Sequence, residues 1–134
     1  AEAASTFMID ASGHEIGFMG FNAVLRDYAR LGIMMAQQGR YGGKQIIPLF
    51  WWREMTRAHF TPAQTGRWFG YGYQTWIFPS NDGSFAFLGV RGQSIFVDPA
   101  KGLVLVQTAV RPLARDPGGA DTTALWRAFK QLDH

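Results

Sequence analysis

The sequence contains no cysteine, so a disulfide framework and a thiolate metal site are both excluded. Charged residues make up only 17% of the 134 residues, and the formal net charge of +3 is too small to indicate nucleic-acid binding. No apolar run approaches the ~20 residues of a membrane-spanning helix. The histidines, His14, His59 and His134, are far apart and lack metal-ligand spacing. We therefore predict no metal, cofactor, nucleic-acid or membrane partner.

The chain is rich in apolar and aromatic residues. Hydrophobic residues make up 47% and aromatic residues 15% of the sequence, which is typical of a folded protein rather than a disordered one. Its 16 glycines indicate β-structure with many tight turns. The length fits one domain or part of a larger one. The start at Ala1, without an initiator Met, favours the middle of a longer polypeptide, although a trimmed chain would begin in the same way.

Helical periodicity appears in three stretches, at residues 23–38, 48–57 and 121–132. Asn22 is the predicted N-cap of the first helix and Gly39 its C′ residue. Pro48 fits the first position of the second helix. The glycine-punctuated segment 5–21 is interpreted as a short hairpin or a loop that lines a cleft.

Between the second and third helices the apolar period changes to two. This pattern predicts four strands, at residues 71–78, 85–88, 94–97 and about 103–110. Short turns join them, so the strands form an antiparallel meander. Residues 61–67 and 112–119 are predicted loops. The predicted fold class is therefore α+β, an antiparallel sheet flanked by helices.

No complete catalytic motif is present. The chain has no Gly-x-Ser-x-Gly, no Ser-x-x-Lys and no glycine-rich phosphate loop. His14 next to Glu15 could be a base with its orienting carboxylate, but neighbours in a turn usually point apart and a solvated histidine is the simpler interpretation.

The segment Phe85 to Pro99 is the most informative one. It forms a hairpin with Gly89 and Gly92 on either side of its turn, which would let a ligand approach the backbone closely. A backbone N–H at such a strand end can serve as an oxyanion donor, which must lie about 3 Å from the developing negative charge. From the residues alone, glycines that serve only the tight turn explain the pattern more simply.

Four segments carry a resemblance to a known family: Gly20–Gly32, Gln37–Ile47, Phe69–Trp76 and Gly89–Pro99. In this order and spacing they resemble the C-terminal part of the class C β-lactamase-like serine hydrolases, nearest the branch of 6-aminohexanoate-dimer (nylon-oligomer) hydrolases and esterases. The resemblance implies that residues 1–134 are the C-terminal segment of an incomplete α/β domain with the β-lactamase/transpeptidase-like fold, whose sheet has five strands in the family.

The resemblance also implies what this chain lacks. The family's nucleophile in Ser-x-x-Lys and its Tyr-x-Asn would lie upstream of Ala1, and none of the four tyrosines here has Asn two positions later. The implied partner is that missing N-terminal part, or a second copy through self-association, and the chain alone would be inactive. Phe87-Leu88-Gly89 stands where β-lactamases have Lys-Thr-Gly, which argues against penicillin-type substrates and favours small amides or esters cleaved through an acyl-enzyme.

Site residues follow from the same resemblance. Val90 would supply the second oxyanion N–H through its backbone, with Phe87 and Gly89 in the substrate site beside it. Phe18 and Asn22 fall where family members line the cleft, a role that for Asn22 is compatible with the N-cap.

Two questions stay open at this point. Arg91 is either a cation at the cleft edge for a substrate carboxylate or a solvated turn residue. The alternative to a hydrolase is a non-enzymatic, β-rich module that binds a small ligand or a protein. The sequence does not assign a compartment, cytoplasmic or periplasmic.

Overall fold

The structure, a computed structural model, describes residues 1–114 and 118–132. The helices are α1 (Leu25–Ala36), α2 (Leu49–Met55), α3 (Pro62–Thr65) and α4 (Gly118–Lys130). The strands are β1 (Arg40–Tyr41), β2 (Lys44–Gln45), β3 (Gly70–Tyr71), β4 (Trp76–Ile77), β5 (Phe85–Leu88), β6 (Ser94–Asp98) and β7 (Leu103–Gln107). None of the helices in these residues is long and apolar enough to cross a membrane.

An antiparallel sheet of five strands, in the order β3-β4-β5-β6-β7, forms the centre of the molecule. Neighbours in the chain are neighbours in the sheet, as expected for a meander with short turns. Strands β1 and β2 form a separate two-stranded ribbon. The predicted α+β class, an antiparallel sheet flanked by helices, is confirmed.

The two faces of the sheet bury two separate cores, because successive side chains of a strand point to opposite faces. On one face, Met35 of α1 packs with Ile95 and Val97 of β6. On the other, Trp126 of α4 is fully buried, and its ring stacks on Phe96 with the ring centroids 5.6 Å apart. Each helix therefore covers one face.

The predicted single strand over residues 71–78 is wrong, since this stretch is a hairpin made of β3 and β4. Its turn is closed by the Gly72 N–H, which donates to the Thr75 carbonyl at 2.9 Å, and Gln74 has a left-handed φ of 59°. Gly72 is required because a Cβ there would lie 2.8 Å from the Arg57 carbonyl oxygen. The apolar alternation continues across the turn, so periodicity alone does not show the break.

The beginning of α1 differs from the prediction, because its N-cap is Val24 and not Asn22. The Val24 carbonyl accepts the N–H groups of Asp27 and Tyr28. Asn22 lies earlier, in a bridge with Thr6, and its Nδ2 donates to a nearby backbone carbonyl instead of capping the helix. This bridge belongs to the irregular hairpin that the N-terminal segment forms.

The end of α1 is a Schellman motif in which Gln38, and not Gly39, takes the C′ position. Gln38 has a left-handed φ of 55°, and the Gly39 N–H donates to the Met34 carbonyl at 2.9 Å. Gly39 is needed for another reason: a Cβ there would lie 2.6 Å from the Ile47 carbonyl oxygen.

Other boundaries of helices and strands also differ from the prediction. Pro48 is the N-cap of α2 rather than its first residue. The predicted loop over 61–67 contains α3, which begins with a capping box between Thr61 and Gln64. β7 ends at Gln107. Of the predicted loop 112–119, residues 115–117 lie outside the described residues, and its last two residues begin α4.

Lys130, in the last turn of α4, connects this helix to the sheet through ion pairs and a hydrogen bond. Its Nζ lies 2.8 Å from Asp98 Oδ2 and 2.6 Å from Asp82 Oδ2, and it donates to Ser84 Oγ at 2.7 Å. The Asp98 side chain is only 3% exposed. Removing such a carboxylate from water costs free energy, which the cation and its hydrogen bonds offset.

We expect Lys130→Met to lower the free energy of unfolding by about 3 kcal/mol, because it leaves the Asp98 carboxylate buried without a cation. Urea denaturation measures the change. The matched control is Lys44→Met in the exposed strand β2, for which we expect a change within about 0.5 kcal/mol. Equal effects of the two substitutions would show that the Ala100 and Lys101 N–H groups, which bond Asp98 Oδ1, are sufficient.

The same contacts predict how stability changes in acid. Burial opposes ionisation of Asp82, but the hydrogen bonds from Lys130 and the Ser84 N–H prevail and hold its pKa below the ordinary 3.8. The stabilisation from Asp82 is therefore present above pH 3.8 and is lost as the pH falls below it. Below pH 3.8, we therefore expect the urea midpoint of Asp82→Asn to fall less with decreasing pH than that of the unchanged chain. Identical acid profiles of Asp82→Asn and the unchanged chain would contradict this assignment.

Candidate active site

The turn between β5 and β6, Gly89 to Gly92, is the centre of the candidate site. The Gly89 N–H donates to the Gln93 carbonyl at 2.8 Å and so extends the β5–β6 ladder by one pair. The Gly92 N–H donates to the Gly89 carbonyl at 3.3 Å and closes the turn. Gly92 has a left-handed φ of 91°, which favours glycine, and a Cβ there would lie 2.6 Å from Arg111 Nε.

The Val90 N–H points away from β6. The Val90 N–H shares a planar trans peptide unit with the Gly89 carbonyl, which accepts the Gly92 N–H across the turn, so the Val90 N–H points the opposite way. The pairing of β4 with β5 ends at Trp76 and Ala86, before it reaches the turn. Within residues 1–114 and 118–132, the Val90 N–H has no acceptor, and the residue is 73% exposed. The amide is therefore open to a ligand at this edge.

An oxyanion donor must satisfy two conditions. It has to be unpaired in the resting state, and its direction has to be fixed before charge develops on the substrate. The Val90 N–H satisfies the first because the sheet does not use it. It satisfies the second because hydrogen bonds of Gly89 and Gly92 hold the turn on both sides of it.

A cavity of about 580 Å³ opens beside the turn, next to the N-terminal half of α4. Gly89 and Val90 are among its lining residues. Three arginines also line it, and of these Arg127 lies over the Trp68 ring, 4.8 Å from the centroid. Among the lining residues that the structure describes none is acidic. The cavity therefore favours anionic or electron-rich groups.

Phe87 and Arg91 lie close to Val90 in the chain but make other contacts. The Phe87 side chain packs on the α1 face of the sheet, with Met35 and Phe85. The Arg91 guanidinium donates to the Arg111 carbonyl at 3.2 Å and to the Pro112 carbonyl, in the segment after β7. Their roles in substrate binding stay predictions. For Arg91, the Nη1 group already donates to these two backbone carbonyls.

Phe18 and Asn22 lie in the N-terminal hairpin, before α1. Both are exposed, Phe18 at 73%. No described contact joins either residue to the turn that holds Val90. Gly89, Val90 and Arg91 thus share the turn after β5, whereas Phe87 faces α1, and the site roles of Phe87, Phe18 and Asn22 stay predictions.

Sequence reasoning did not single out Gln93 or Arg111. Gln93 Oε1 accepts the Arg91 N–H at 3.1 Å, and Arg111 Nη2 donates to Thr122 Oγ1 at 2.7 Å. For Gln93 a weak signal was present, since it follows the second turn glycine directly. Arg111 reaches the turn only through the fold, so the sequence carries no signal for it. Among the described residues, no three His, Asp or Glu side chains form a group that could hold a metal ion.

The chain is similar to known hydrolases over most of its length. No family model matches the chain. Over 119 residues, 84% of this chain, it is 25% identical to the 6-aminohexanoate-dimer hydrolase of Paenarthrobacter ureafaciens, of which it covers 30%. A solved structure, "Putative 6-aminohexanoate-dimer hydrolase from Bacillus anthracis", matches 92% of this chain and 32% of its own, with a TM-score of 0.69 and 26% identity.

The fold is therefore a portion of the β-lactamase-like hydrolase fold, as the resemblance of the sequence segments implied. The particular proteins that the chain resembles are 6-aminohexanoate-dimer hydrolases, and this expected resemblance is also confirmed. The chain spans 30% to 32% of the length of these two relatives.

Proposed function

We propose that this chain is the C-terminal segment of a serine hydrolase that cleaves small amides or esters through an acyl-enzyme. The observation that carries the proposal is the Val90 N–H in the turn after β5, which has no acceptor among the residues that the structure describes. Similarity to hydrolases over most of the chain supports it. The nucleophilic serine, with the lysine and tyrosine that activate it, would belong to the part of the polypeptide outside this chain, so the chain alone is expected to be inactive.

In the proposed reaction, the serine oxygen attacks the substrate carbonyl carbon and passes its proton to the activating base. The carbonyl oxygen then carries a negative charge, and the Val90 N–H donates a hydrogen bond to it. When the tetrahedral intermediate collapses, the bond to the leaving amine or alcohol breaks, the leaving group takes up the proton, and an acyl ester remains on serine. Attack by water repeats the sequence, with the same N–H holding the oxyanion, and releases the acid.

The proposed partner is the rest of the same polypeptide. β7 lies at one end of the sheet, and its outer edge has no partner strand among the described residues. An open edge of this kind accepts a further strand through backbone hydrogen bonds. The N-terminal hairpin also leaves large apolar side chains exposed: Phe7, Met8, Ile9, Phe18, Met19 and Phe21. A larger polypeptide would cover this surface.

One observation favours a second function, binding of an anionic small molecule without chemistry. The cavity beside the turn is lined by Arg67, Arg111 and Arg127. Ser94 also lines it, and its buried Oγ has no hydrogen-bond partner among the described residues. A non-enzymatic module would use these groups, and it would not need the Val90 N–H.

The first test removes the Val90 N–H with proline. Val90 is the second residue of the turn, the position at which turns favour proline, and neither it nor Arg91 has a positive φ. In the complete hydrolase, we expect Val90→Pro to lower kcat for a chromogenic ester by about 10² to 10³.

The matched control is Val90→Ala, which also removes the side chain but keeps the N–H. We expect it to retain kcat within about threefold, since side-chain changes at exposed positions are usually mild. Circular dichroism and the melting temperature confirm folding of both variants. If both variants hydrolyse the ester equally fast, Val90 is not the donor.

The second test concerns the partner. We expect the chain alone to show no esterase activity and to co-purify with the co-expressed N-terminal part that carries Ser-x-x-Lys, which restores hydrolysis. Light scattering after size-exclusion chromatography gives the stoichiometry and detects self-association. A monomer that unfolds cooperatively and does not bind that part would instead support the non-enzymatic module.

A further inference from the structure

The four backbone N–H groups of the β5–β6 turn differ in whether they have a hydrogen-bond acceptor. Those of Gly89 and Arg91 both donate to Gln93, the first to its backbone carbonyl at 2.8 Å and the second to its side-chain Oε1 at 3.1 Å. That of Gly92 closes the turn on the Gly89 carbonyl. Only that of Val90 has no acceptor in the part of the chain that the structure describes. Gln93 thus accepts hydrogen bonds from the N–H groups of the residues directly before and after Val90.

These bonds fix the direction of the Val90 N–H because a peptide unit is planar and turns as one body. The peptide unit that contains the Val90 N–H also contains the Gly89 carbonyl, which Gly92 holds. The preceding unit contains the Gly89 N–H and the following unit contains the Arg91 N–H, and both are bonded to Gln93. The free N–H therefore lies between two anchored neighbours.

The position of Gly89 agrees with this arrangement. A Cβ on Gly89 would lie 2.5 Å from Gln93 Oε1 and 3.0 Å from Gln93 Cβ. Its φ is not in the left-handed region, so backbone conformation does not require glycine here. Instead, the missing side chain leaves the space in which the Gln93 side chain folds back over the turn.

We propose that Gln93 is the positioning residue for the Val90 oxyanion donor, acting through the Arg91 N–H. This inference rests on the proposed hydrolase function and adds a residue that does not touch the reacting atoms. Gln93 is exposed, so its side chain adds little to the core, and replacing it tests the turn rather than the fold.

The test uses Gln93→Met in the complete hydrolase, which keeps the side-chain length and removes the acceptor. We expect kcat for the chromogenic ester to fall about tenfold, the effect of one ordinary hydrogen bond, with KM changed less than about twofold. Hydrogen exchange of the Arg91 amide should become at least about tenfold faster. Gln131→Met, at an exposed glutamine beyond α4, is the matched control and should leave kcat and the Arg91 exchange unchanged.

A double-mutant cycle separates this inference from the proposed function. If Gln93 acts through Val90, adding Gln93→Met to Val90→Pro lowers kcat by less than about twofold further. A full effect of Val90→Pro together with normal kcat in Gln93→Met would overturn the positioning role and leave the hydrolase proposal intact. A tenfold loss from Gln93→Met that persists in the Val90→Pro background would also overturn it. No effect of Val90→Pro would overturn both.

Discussion

A strand that extends past its neighbour leaves every second N–H of its last residues without a partner, and β5 is such a strand. β4 pairs with it only at Phe85 and Ala86, whereas β6 follows it to Leu88 and, through Gly89, into the turn. The proposed chemistry depends on the turn that follows this strand end, because the Val90 N–H lies beyond both ladders and has no acceptor among the described residues.

The rest of the fold keeps that strand end in place. Helices α1 and α4 cover opposite faces of the sheet, so side chains of β5 and β6 are packed on both sides. Behind the turn, the Arg91 carbonyl accepts the Arg111 N–H, and the Gly92 carbonyl accepts Gln107 Nε2. The site is therefore supported by β7 and the segment after it, as well as by its own hairpin.

The sequence predicted features that depend on neighbouring residues. β5 matched its predicted range because its four consecutive apolar residues lie between the glycine-containing turns at Gly83 and Gly89, and the turn at Gly89 to Gly92 followed from the same pattern. The β3–β4 hairpin was missed because Gln74, a non-glycine residue, takes the left-handed position. The contacts of Lys130 with Asp82 and Asp98 join distant parts of the chain, and no local pattern shows them. For the candidate site, sequence and resemblance pointed to the turn after β5 but not to the side chains that hold it, such as Gln93 and Arg111.

The outer edge of β7, which has no partner strand among the described residues, has a consequence for self-association of this chain. Leu103 to Gln107 carries no charge, no proline and four apolar residues with high β-propensity. Segments of this composition stack into cross-β fibrils when their backbone groups stay unsatisfied. Lys101 in the preceding turn is the nearest charge that could act as a gatekeeper against such growth. A strand paired with β7 would therefore also protect the chain from fibril formation.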